Sequence, residues 1–573
     1  MTQPPPPPPN QPPNQPPQGG GFGPPPQGPP PQQPGYGYPQ QPPSYGYPQT
    51  PPAQQPGYGY PQPPTVPAQP QPGGPGGGRK FNAQVAIIVA AVVAIALIIG
   101  GGVWYSGSSG KDDDKHNSAD PGGDKDGKDG EGDKGGTGGS GENGGGGPAG
   151  PAEKPPADPA SKLLFQVPAP PVTKDVSTVV VSGSWLTDKV YAKSGIAEIV
   201  GYDRDKGSKL WTVKLEGPVC ASSQWVTPDH KAVIAYQPAM PTKAEPSHGC
   251  TQVAVIDLDA GKKVWTKTGG EAARPISFNN VTVSGGTVAA GSTEGGVAFD
   301  LADGHVLWAP KTSDSCYDAG YGGGPKLVAV RKCGGYDARQ LNIQTVDPKS
   351  GKVLSEYKMA PGIEYAAVVS TDPLVIAADV GDSAGDGSGI SDFFSIDNKT
   401  GRLLTRISAP GKQYAAECDA ITKLESCSGL AVGPGRLYIA TEEHDTPGES
   451  YGQSNEIVAF DLATGKQTGQ RADSGKDYTI TPLRMDGPNV LAYKRSYEKG
   501  GQVVSVDAAS FKQTTLLENP TGEAVKDAEN SMSPTFAELV YGQGHLYMSQ
   551  VFASDLGGPN EKEYLAIAFG AGG

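Results

Sequence analysis

The stretch "FDLADGHVLW", residues 299–308, recurs along this chain in recognisable variants. Close copies read "YDRDKGSKLW" from residue 202 and "IDLDAGKKVW" from residue 256, and looser copies read "VDPKSGKVL", "IDNKTGRLL", "FDLATGKQT" and "VDAASFKQT". Successive copies lie about 50 residues apart, and self-similarity at that period is typical of solenoids, propellers and other repeat architectures.

The seven copies share an acidic residue that follows a short apolar run, and six of them share a glycine four positions later. The acidic residues are Asp203, Asp257, Asp300, Asp347, Asp397, Asp461 and Asp507. The glycines are Gly207, Gly261, Gly304, Gly351, Gly401 and Gly465, and the last copy has Phe511 in that place. An aspartate that accepts turn amides, followed by a glycine in the left-handed conformation, predicts a β-hairpin turn.

Each copy lies in a segment with room for two further strands. Before Asp300, for example, "ISFNNVTVSGGTVAAGSTEGGVAF" supplies alternating apolar runs that are separated by Gly and Asn turns. One repeat therefore contains about four strands in about 50 residues, the size of a propeller blade. Helical periodicity is absent from these segments, which excludes a helical solenoid. The predicted fold class is all-β, a β-propeller over residues 161–573.

The two ends of the repeat region indicate the number of blades. "EYLAIAF", Glu563–Phe569, resembles the strand that enters the hairpin, and "LLFQVPAP", from Leu163, resembles the strand that leaves it. A strand from one end that completes a blade begun by the other would close the ring and remove its open edges. We therefore expect eight blades. Seven remains the alternative, because the spacing between copies is irregular.

In the first three copies a tryptophan occupies the eighth position after the aspartate: Trp211, Trp265 and Trp308. The resulting pattern, D-x-x-x-G-x-x-x-W after an apolar strand, resembles the quinoprotein-type (PQQ-like) β-propeller repeat. That family includes quinoprotein alcohol dehydrogenases and non-enzymatic members such as the bacterial outer-membrane assembly lipoprotein. The resemblance implies that these tryptophans are structural and pack between neighbouring blades.

The resemblance also gives a test for enzymatic activity. Enzymes of the family carry a disulfide between adjacent cysteines against the quinone, together with a calcium ion. This chain has no Cys-Cys pair, no C-x-x-C-H haem motif and no G-x-S-x-G, P-loop or H-E-x-x-H motif. We expect a non-enzymatic member with no catalytic, cofactor-binding or metal-binding residues and no cofactor. A PQQ-dependent envelope oxidoreductase is the alternative.

The part of the chain before the repeats divides into three by composition. Residues 1–80 are rich in Pro, Gln and Tyr and predict a disordered tail, while residues 106–160 are rich in Gly, Asp and Lys and predict a disordered linker. Between them, residues 81–105 contain an apolar run long enough to span a bilayer and predict a single transmembrane helix. Arg79 and Lys80 precede this helix, which places the tail in the cytoplasm and the repeats outside the cell.

All six cysteines follow the predicted membrane segment: Cys220, Cys250, Cys316, Cys333, Cys418 and Cys427. An even number of cysteines in an exported region favours disulfides. Six cysteines allow 15 pairings, and proximity along the chain favours 220–250, 316–333 and 418–427. The alternative, a zinc site that uses Cys220, His248 and Cys250, lacks a fourth ligand at a suitable spacing.

The charge balance argues against nucleic acid as a partner. The chain carries a formal net charge of −14, the reverse of the basic surface that phosphate binding requires. The sequence thus predicts a cell-membrane protein with one transmembrane helix and an extracellular propeller. We expect the propeller to act as a binding or scaffold module for an unknown protein or envelope ligand, and a ligand-sensing ectodomain is a second alternative. The tail resembles those of membrane proteins from high-GC Gram-positive bacteria.

Overall fold

The computed structural model describes residues 152–571, apart from 173–175, 272–273, 311–313, 336–338, 382, 385–388, 420, 446–452, 535 and 555–562. The predicted tail, the predicted transmembrane helix and most of the predicted linker lie outside these residues. Within the described ranges, no helix combines the length and the apolar character that a membrane crossing requires.

The described chain is an eight-bladed β-propeller in which every blade is a four-stranded antiparallel sheet. From the first, innermost strand to the fourth, outermost strand, blades 1 to 3 are Ser184–Leu186, Val190–Gly195, Glu198–Asp203, Lys209–Lys214; Val219–Ser222, Lys231–Tyr236, Gln252–Asp257, Lys262–Thr268; and Asn280–Ser284, Thr287–Gly291, Val297–Asp300, Val306–Trp308. Blades 4 to 6 are Cys316–Gly322, Leu327–Cys333, Gln340–Val346, Val353–Lys358; Ala367–Thr371, Leu374–Ala378, Asp392–Ile396, Leu403–Ser408; and Leu430–Gly433, Arg436–Ala440, Glu456–Asp461, Gln467–Asp473. Blades 7 and 8 are Thr479–Asp486, Asn489–Arg495, Gln502–Val506, Gln513–Glu518; and Ala537–Gly542, His545–Gln550, Tyr564–Ala571, Ser161–Pro168.

Blade 8 joins the two ends of the repeat region. Its outermost strand, Ser161–Pro168, pairs antiparallel with Tyr564–Ala571, and Leu163 lies opposite Phe569. The expected closure and the expected eight blades are therefore confirmed, and the seven-bladed alternative is wrong. Because the N-terminal strand completes the blade that the C-terminal strands form, the ring has no open edge between its first and last blades.

The repeated phrase forms the predicted hairpin turn between the third and fourth strands. In blade 3 the Gly304 N–H donates to the carbonyl of Asp300 at 2.8 Å, and the Ala302 N–H donates to the Asp300 carboxylate at 2.9 Å. Gly304 has a φ of +72°. In the last copy Phe511 adopts a φ of +58°, and its buried ring packs against Tyr438 of blade 6. Burial of that ring offsets a backbone conformation that favours glycine.

The hydrophobic core is divided among the blade interfaces. Each of the eight interfaces has its own cluster of buried apolar side chains, contributed by the facing surfaces of two adjacent sheets. At the interface of blades 2 and 3, for example, Val255 and Trp265 pack with Val288 and Phe299. Since every sheet is covered on both faces, its central strands are apolar on both sides.

The alternating strand directions give the ring two distinct ends. We call the end that carries the seven Asp turns, residues 203–207 to 507–511, the turn face. The opposite end carries the loops between the second and third strands and the connections between blades, including residues 362–365 and 417–429, and we call it the cavity face. A parallel bridge between Ser284 and Gly324 confirms that the first strands of neighbouring blades run in the same direction.

Short elements supplement the blades. A single helix within the described ranges, Glu523–Asn530, lies in the connection from blade 7 to blade 8. Four two-stranded ribbons complete the secondary structure: Gly270–Glu271 with Arg274–Pro275, Thr178–Val180 with Phe552–Ser554, Glu417–Cys418 with Cys427–Ser428, and His444–Asp445 with Gln453–Ser454.

Candidate functional site

A cavity of about 1130 Å³ opens at the centre of the cavity face. The first strands of blades 1, 2, 3, 7 and 8 and the connections that precede blades 5 and 6 line it. Binding cavities in proteins commonly have volumes of about 300–1,000 Å³. This cavity is therefore large enough for several side chains of a partner.

The lining of the cavity is acidic. Six carboxylates contribute to it: Glu364, Asp379, Glu417, Asp419, Glu425 and Glu538. Lys423 is the only basic residue among the described lining residues. Carboxylates gathered in a concave site concentrate negative potential there, because the protein walls focus the field.

Glu425 lies at the bottom of the cavity. Its side chain is 6% exposed, and its Oε1 accepts a hydrogen bond from the Gly323 N–H of blade 4 at 2.6 Å. Burial raises the pKa of Glu425 to about 7, while the hydrogen bond from the Gly323 N–H opposes the shift. Burial therefore favours the neutral form of this carboxyl group.

A short disulfide loop holds Glu425 in this position. Cys418 and Cys427 are bonded at the point where the ribbon Glu417–Cys418 with Cys427–Ser428 closes the loop. Inside the loop, the Asp419 carboxylate accepts the Thr422 N–H at 2.9 Å, and the Leu424 carbonyl accepts the Val368 N–H of blade 5 at 2.7 Å. The loop therefore reaches down the channel and is fixed to the first strand of blade 5.

Glu538, on the opposite wall, already has a cationic partner. Its Oε2 lies 2.8 Å from the Nζ of Lys193, a side chain with no exposed surface, and its Oε1 accepts the Gly183 N–H at 2.6 Å. Burial lowers the pKa of Lys193. This ion pair connects blade 8 to blade 1, and removal of either partner would leave a buried charge unpaired.

Exposed apolar side chains form a rim around the acidic cavity. Tyr365, Ile421 and Phe536 are 38%, 57% and 41% exposed. At one side of this rim, Lys332 Nζ lies 3.9 Å from the centre of the Tyr365 ring, and burial lowers the pKa of Lys332 to about 8. Apolar side chains around a polar concavity are typical of protein-interaction sites.

The residues that the sequence singled out lie in two places. The repeat aspartates and glycines are on the turn face, away from the cavity. Each turn glycine of blades 2 to 4 lies against the tryptophan of the preceding blade: a Cβ on Gly261 would overlap the Trp211 ring, one on Gly304 the Trp265 ring, and one on Gly351 the Trp308 ring. The Trp265 indole also donates a hydrogen bond across the interface to the Leu301 carbonyl at 2.8 Å.

All six cysteines lie at or near the cavity face. They form the disulfides Cys220–Cys250, Cys316–Cys333 and Cys418–Cys427, the pairs that proximity along the chain favoured. The zinc alternative that used Cys220 and Cys250 is therefore wrong, because those thiols are bonded to each other.

One group of potential metal ligands occurs among the described residues, on the turn face. Asp300, Asp303 and His305 bring their ligand atoms within 4.8 Å of one another. Their hydrogen bonds are those of a hairpin turn: Asp300 accepts the Ala302 N–H, and Asp303 accepts the His305 N–H at 2.9 Å. The turn geometry accounts for the group without a ligand.

Sequence reasoning missed Glu425 and the cavity. The available signal was the segment "CDAITKLESC", residues 418–427, in which a lone glutamate lies two residues before the closing cysteine of a predicted disulfide loop. Nothing local in that segment indicates that the loop enters a channel, because the residues around Glu425 come from blades 2, 3 and 4.

The fold and the site together define the class of this protein: an eight-bladed β-propeller with an acidic cavity at one mouth of its channel. Residues 167–316, which include the three repeats with tryptophan, match the family model described as outer membrane protein assembly factor BamB. No curated protein sequence matches the chain.

Solved structures with a similar fold include one BamB and two quinohemoprotein alcohol dehydrogenases. BamB from Moraxella catarrhalis is 13% identical, with 70% of this chain and 99% of that one covered and a TM-score of 0.36. Quinohemoprotein alcohol dehydrogenase ADHIIG from Pseudomonas putida HK5 is 14% identical, with 72% and 76% covered and a TM-score of 0.41. The quinohemoprotein alcohol dehydrogenase from Comamonas testosteroni is 12% identical, with the same shares covered and a TM-score of 0.37.

Proposed function

We propose that this protein is a single-pass membrane protein whose propeller lies outside the cell and acts there as a non-enzymatic binding or scaffold module. The binding site is the cavity on the cavity face. The observation that carries this proposal is the combination, at one end of a rigid ring, of a large acidic cavity and exposed apolar side chains. Loops on a rigid scaffold commonly carry recognition.

The location is supported by the sequence before the propeller and by the disulfides. Residues 85–99 are uninterrupted Val, Ala, Ile and Leu, as a membrane-spanning helix requires. Three disulfides and no free cysteine among the described residues suit an oxidising compartment.

The first described residues of the chain lie on the turn face. Glu153 lies on the turn face, where its backbone N–H donates to the Asp486 carboxylate at 2.9 Å and its carboxylate accepts the Gln543 N–H at 2.8 Å. Asp486 and Gln543 both lie where the first strand of a blade ends. A tether that arrives on the turn face is compatible with a partner on the opposite face.

A site-specific crosslinking experiment tests the binding site. A photoreactive amino acid replaces Ile421 on the rim or, as the control, Lys399 in a turn-face hairpin, and the full chain is expressed in its own cell type. We expect a discrete adduct from position 421 and none from position 399. Adducts from position 399 alone, or from neither position, would contradict the proposal.

Two further measurements test the location and the absence of catalysis. Protease added to intact cells should digest the propeller and leave the N-terminal tail protected, and the reverse pattern would contradict the proposed orientation. Pyrroloquinoline quinone and Ca²⁺ added to the purified protein should give no dye-linked oxidation of alcohols or sugars. Turnover with stoichiometric quinone would favour the oxidoreductase instead.

A further inference from the structure

We propose that the cavity recognises a basic peptide segment, in which an Arg or Lys side chain points down the channel to Glu425 while neighbouring apolar side chains cover the rim residues Tyr365, Ile421 and Phe536. This inference rests on the proposed function and names its ligand. The partner is identified by this chemistry: a cation inside, with apolar groups on either side.

The charge of the cavity favours a cation. Of the six lining carboxylates, Glu538 is paired with Lys193, and Glu364 interacts electrostatically with Lys332. Asp379 and Asp419 accept hydrogen bonds from backbone N–H groups of their own loops, which orients them and leaves their charge in place. The site therefore retains more negative than positive charge, and such a surface attracts and orients a positively charged partner.

Glu425 is a buried acid with no cationic partner among the described residues. Gly323, Thr282 and Trp225, the neighbouring groups that favour its ionised form, are polar and uncharged. Burial of a carboxylate is costly unless an opposite charge accompanies it. A guanidinium or ammonium group from a ligand would supply that charge at the bottom of the cavity.

A buried hydroxyl group near Glu425 has no hydrogen-bond partner among the described residues. A void of about 10 Å³ below the cavity is lined by Trp225, Ser370 and Glu425. Ser370 is 3% exposed, and its Oγ has no hydrogen-bond partner in the described part of the chain. The void is about the size that holds one water molecule. It would let a donor at Glu425 reach this hydroxyl through water.

The arrangement of the carboxylates does not suit a metal ion. Ca²⁺ needs six to eight oxygen ligands at about 2.3–2.6 Å. The turn-face group is the only set of three ligand atoms within 4.8 Å among the described residues, so the cavity carboxylates do not converge on one point. Because these carboxylates are spread around the cavity wall, they suit a ligand whose positive charge or hydrogen-bond donors extend over several ångströms.

The apolar rim distinguishes a peptide from a small amine. An amine that reached Glu425 would leave Tyr365, Ile421 and Phe536 as exposed as before. A peptide whose basic residue is flanked by apolar residues removes this surface from water, which contributes about 25 cal/mol for each Å² buried. The volume of about 1130 Å³ also exceeds the needs of one basic side chain.

The test uses the full chain in lipid nanodiscs and a displayed library of random dodecapeptides. We expect enriched sequences with Arg or Lys next to Leu, Ile, Phe, Tyr or Trp. Replacement of that Arg by citrulline, a neutral analogue of the same shape, should weaken binding about tenfold or more, as loss of a charged hydrogen bond does. Enrichment of peptides without basic residues would overturn the proposal.

Protein variants locate the bound peptide. Glu425→Gln, which keeps an acceptor for the Gly323 N–H, should weaken the selected peptide about tenfold, and Phe536→Ser, at the exposed rim, should also weaken it. Asp303→Asn, which removes one exposed carboxylate on the turn face, should change the affinity less than about twofold, the size of a screened surface effect. Equal binding by Glu425→Gln and the unchanged protein would overturn the role of Glu425.

Competitors separate the remaining outcomes. Argininamide, spermidine and Ca²⁺, each at the concentration of the peptide, should not displace it. Displacement by any of them would overturn the peptide as ligand. If the library gives no enrichment while position 421 forms a crosslinked adduct in cells, the binding site stands and the ligand class is wrong. If both fail, the proposed function fails as well.

Discussion

The turn face and the cavity face are built from the same strands but in different ways. On the turn face seven hairpins repeat one contact, a hydrogen bond from the residue four positions after the Asp to the carbonyl of that Asp. On the cavity face the loops between second and third strands range from residues 196–197 in blade 1 to residues 237–251 in blade 2. Repetition at one end keeps the ring regular, and variation at the other end makes a unique site.

This difference suggests that the two faces have different roles. The turn face holds adjacent blades together, since an outer side chain of one blade packs on the turn glycine of the next, as Trp211 does on Gly261 and Phe165 on Gly207. The cavity face carries the disulfides, whose cross-links brace loops that have no repeated contacts. Variants of the two kinds of residue should therefore differ: variants of the turn residues change stability alone, and variants of the residues that form the cavity change binding.

The largest expected effect is on the blade interfaces. Trp265→Ala should lower the free energy of unfolding by about 3–5 kcal/mol, because it removes a buried indole and its hydrogen bond to Leu301. Chemical denaturation of the purified protein measures this change. Trp308→Ala, at a half-buried position, is the control and should cost less. An equal loss in both variants would contradict the role assigned to the Trp265 contacts.

The second-largest expected effect is a pH dependence of stability. It comes from Glu425, the buried acid of the cavity, and distinguishes this residue from the turn aspartates. The pKa of Glu425 is raised from 4.5 to about 7 in the folded protein, so the folded state binds the proton more tightly than the unfolded state. The contribution of this carboxyl group to the free energy of unfolding is fully present below pH 4.5. It is lost as the pH rises to about 7, and the loss is about 3 kcal/mol at most.

Glu425→Gln removes this titration. Compared with the unchanged protein, the variant should gain relative stability as the pH rises from 4.5 to 8, and denaturation at several pH values measures the difference. A difference that stays constant over this range would show that Glu425 has an ordinary pKa.

The third effect tests the disulfide loop. Replacement of Cys418 and Cys427 by alanine should cost about 2–3 kcal/mol by the chain-entropy relation for a short loop. It should also abolish peptide binding, because the loop positions Glu425. The control pair, Cys316 and Cys333 in blade 4, should lose stability and retain binding. Retained binding in the first variant would contradict the function assigned to the loop.

The smallest expected effect is at one turn of the repeat. Asp461→Ala removes the bonds from the Ala463 and Thr464 N–H groups to an exposed carboxylate, at 3.0 and 2.7 Å. The loss of stability should be smaller than in the other variants, and binding should not change. Weaker peptide binding by Asp461→Ala would contradict the assignment of binding to the cavity face alone.

The sequence predicted the turn face well because its information is local. An apolar strand, an aspartate and a glycine within a few residues determine each hairpin. The strand-like segments that begin at Leu163 and Glu563 indicated the eighth blade. The cavity could not be predicted in this way. Glu425 bonds to Gly323, 102 residues away, and the wall is completed by Glu538 from blade 8, so the site exists only after the ring has closed.

The most direct test of the division between the faces is hydrogen–deuterium exchange of the full chain in nanodiscs, with and without the selected basic peptide. The account predicts slower exchange in residues 362–365, 417–429 and 536–540 and no change in the seven Asp turns. Protection confined to the turns or to the outer strands of the blades, with residues 417–429 unaffected, would contradict it.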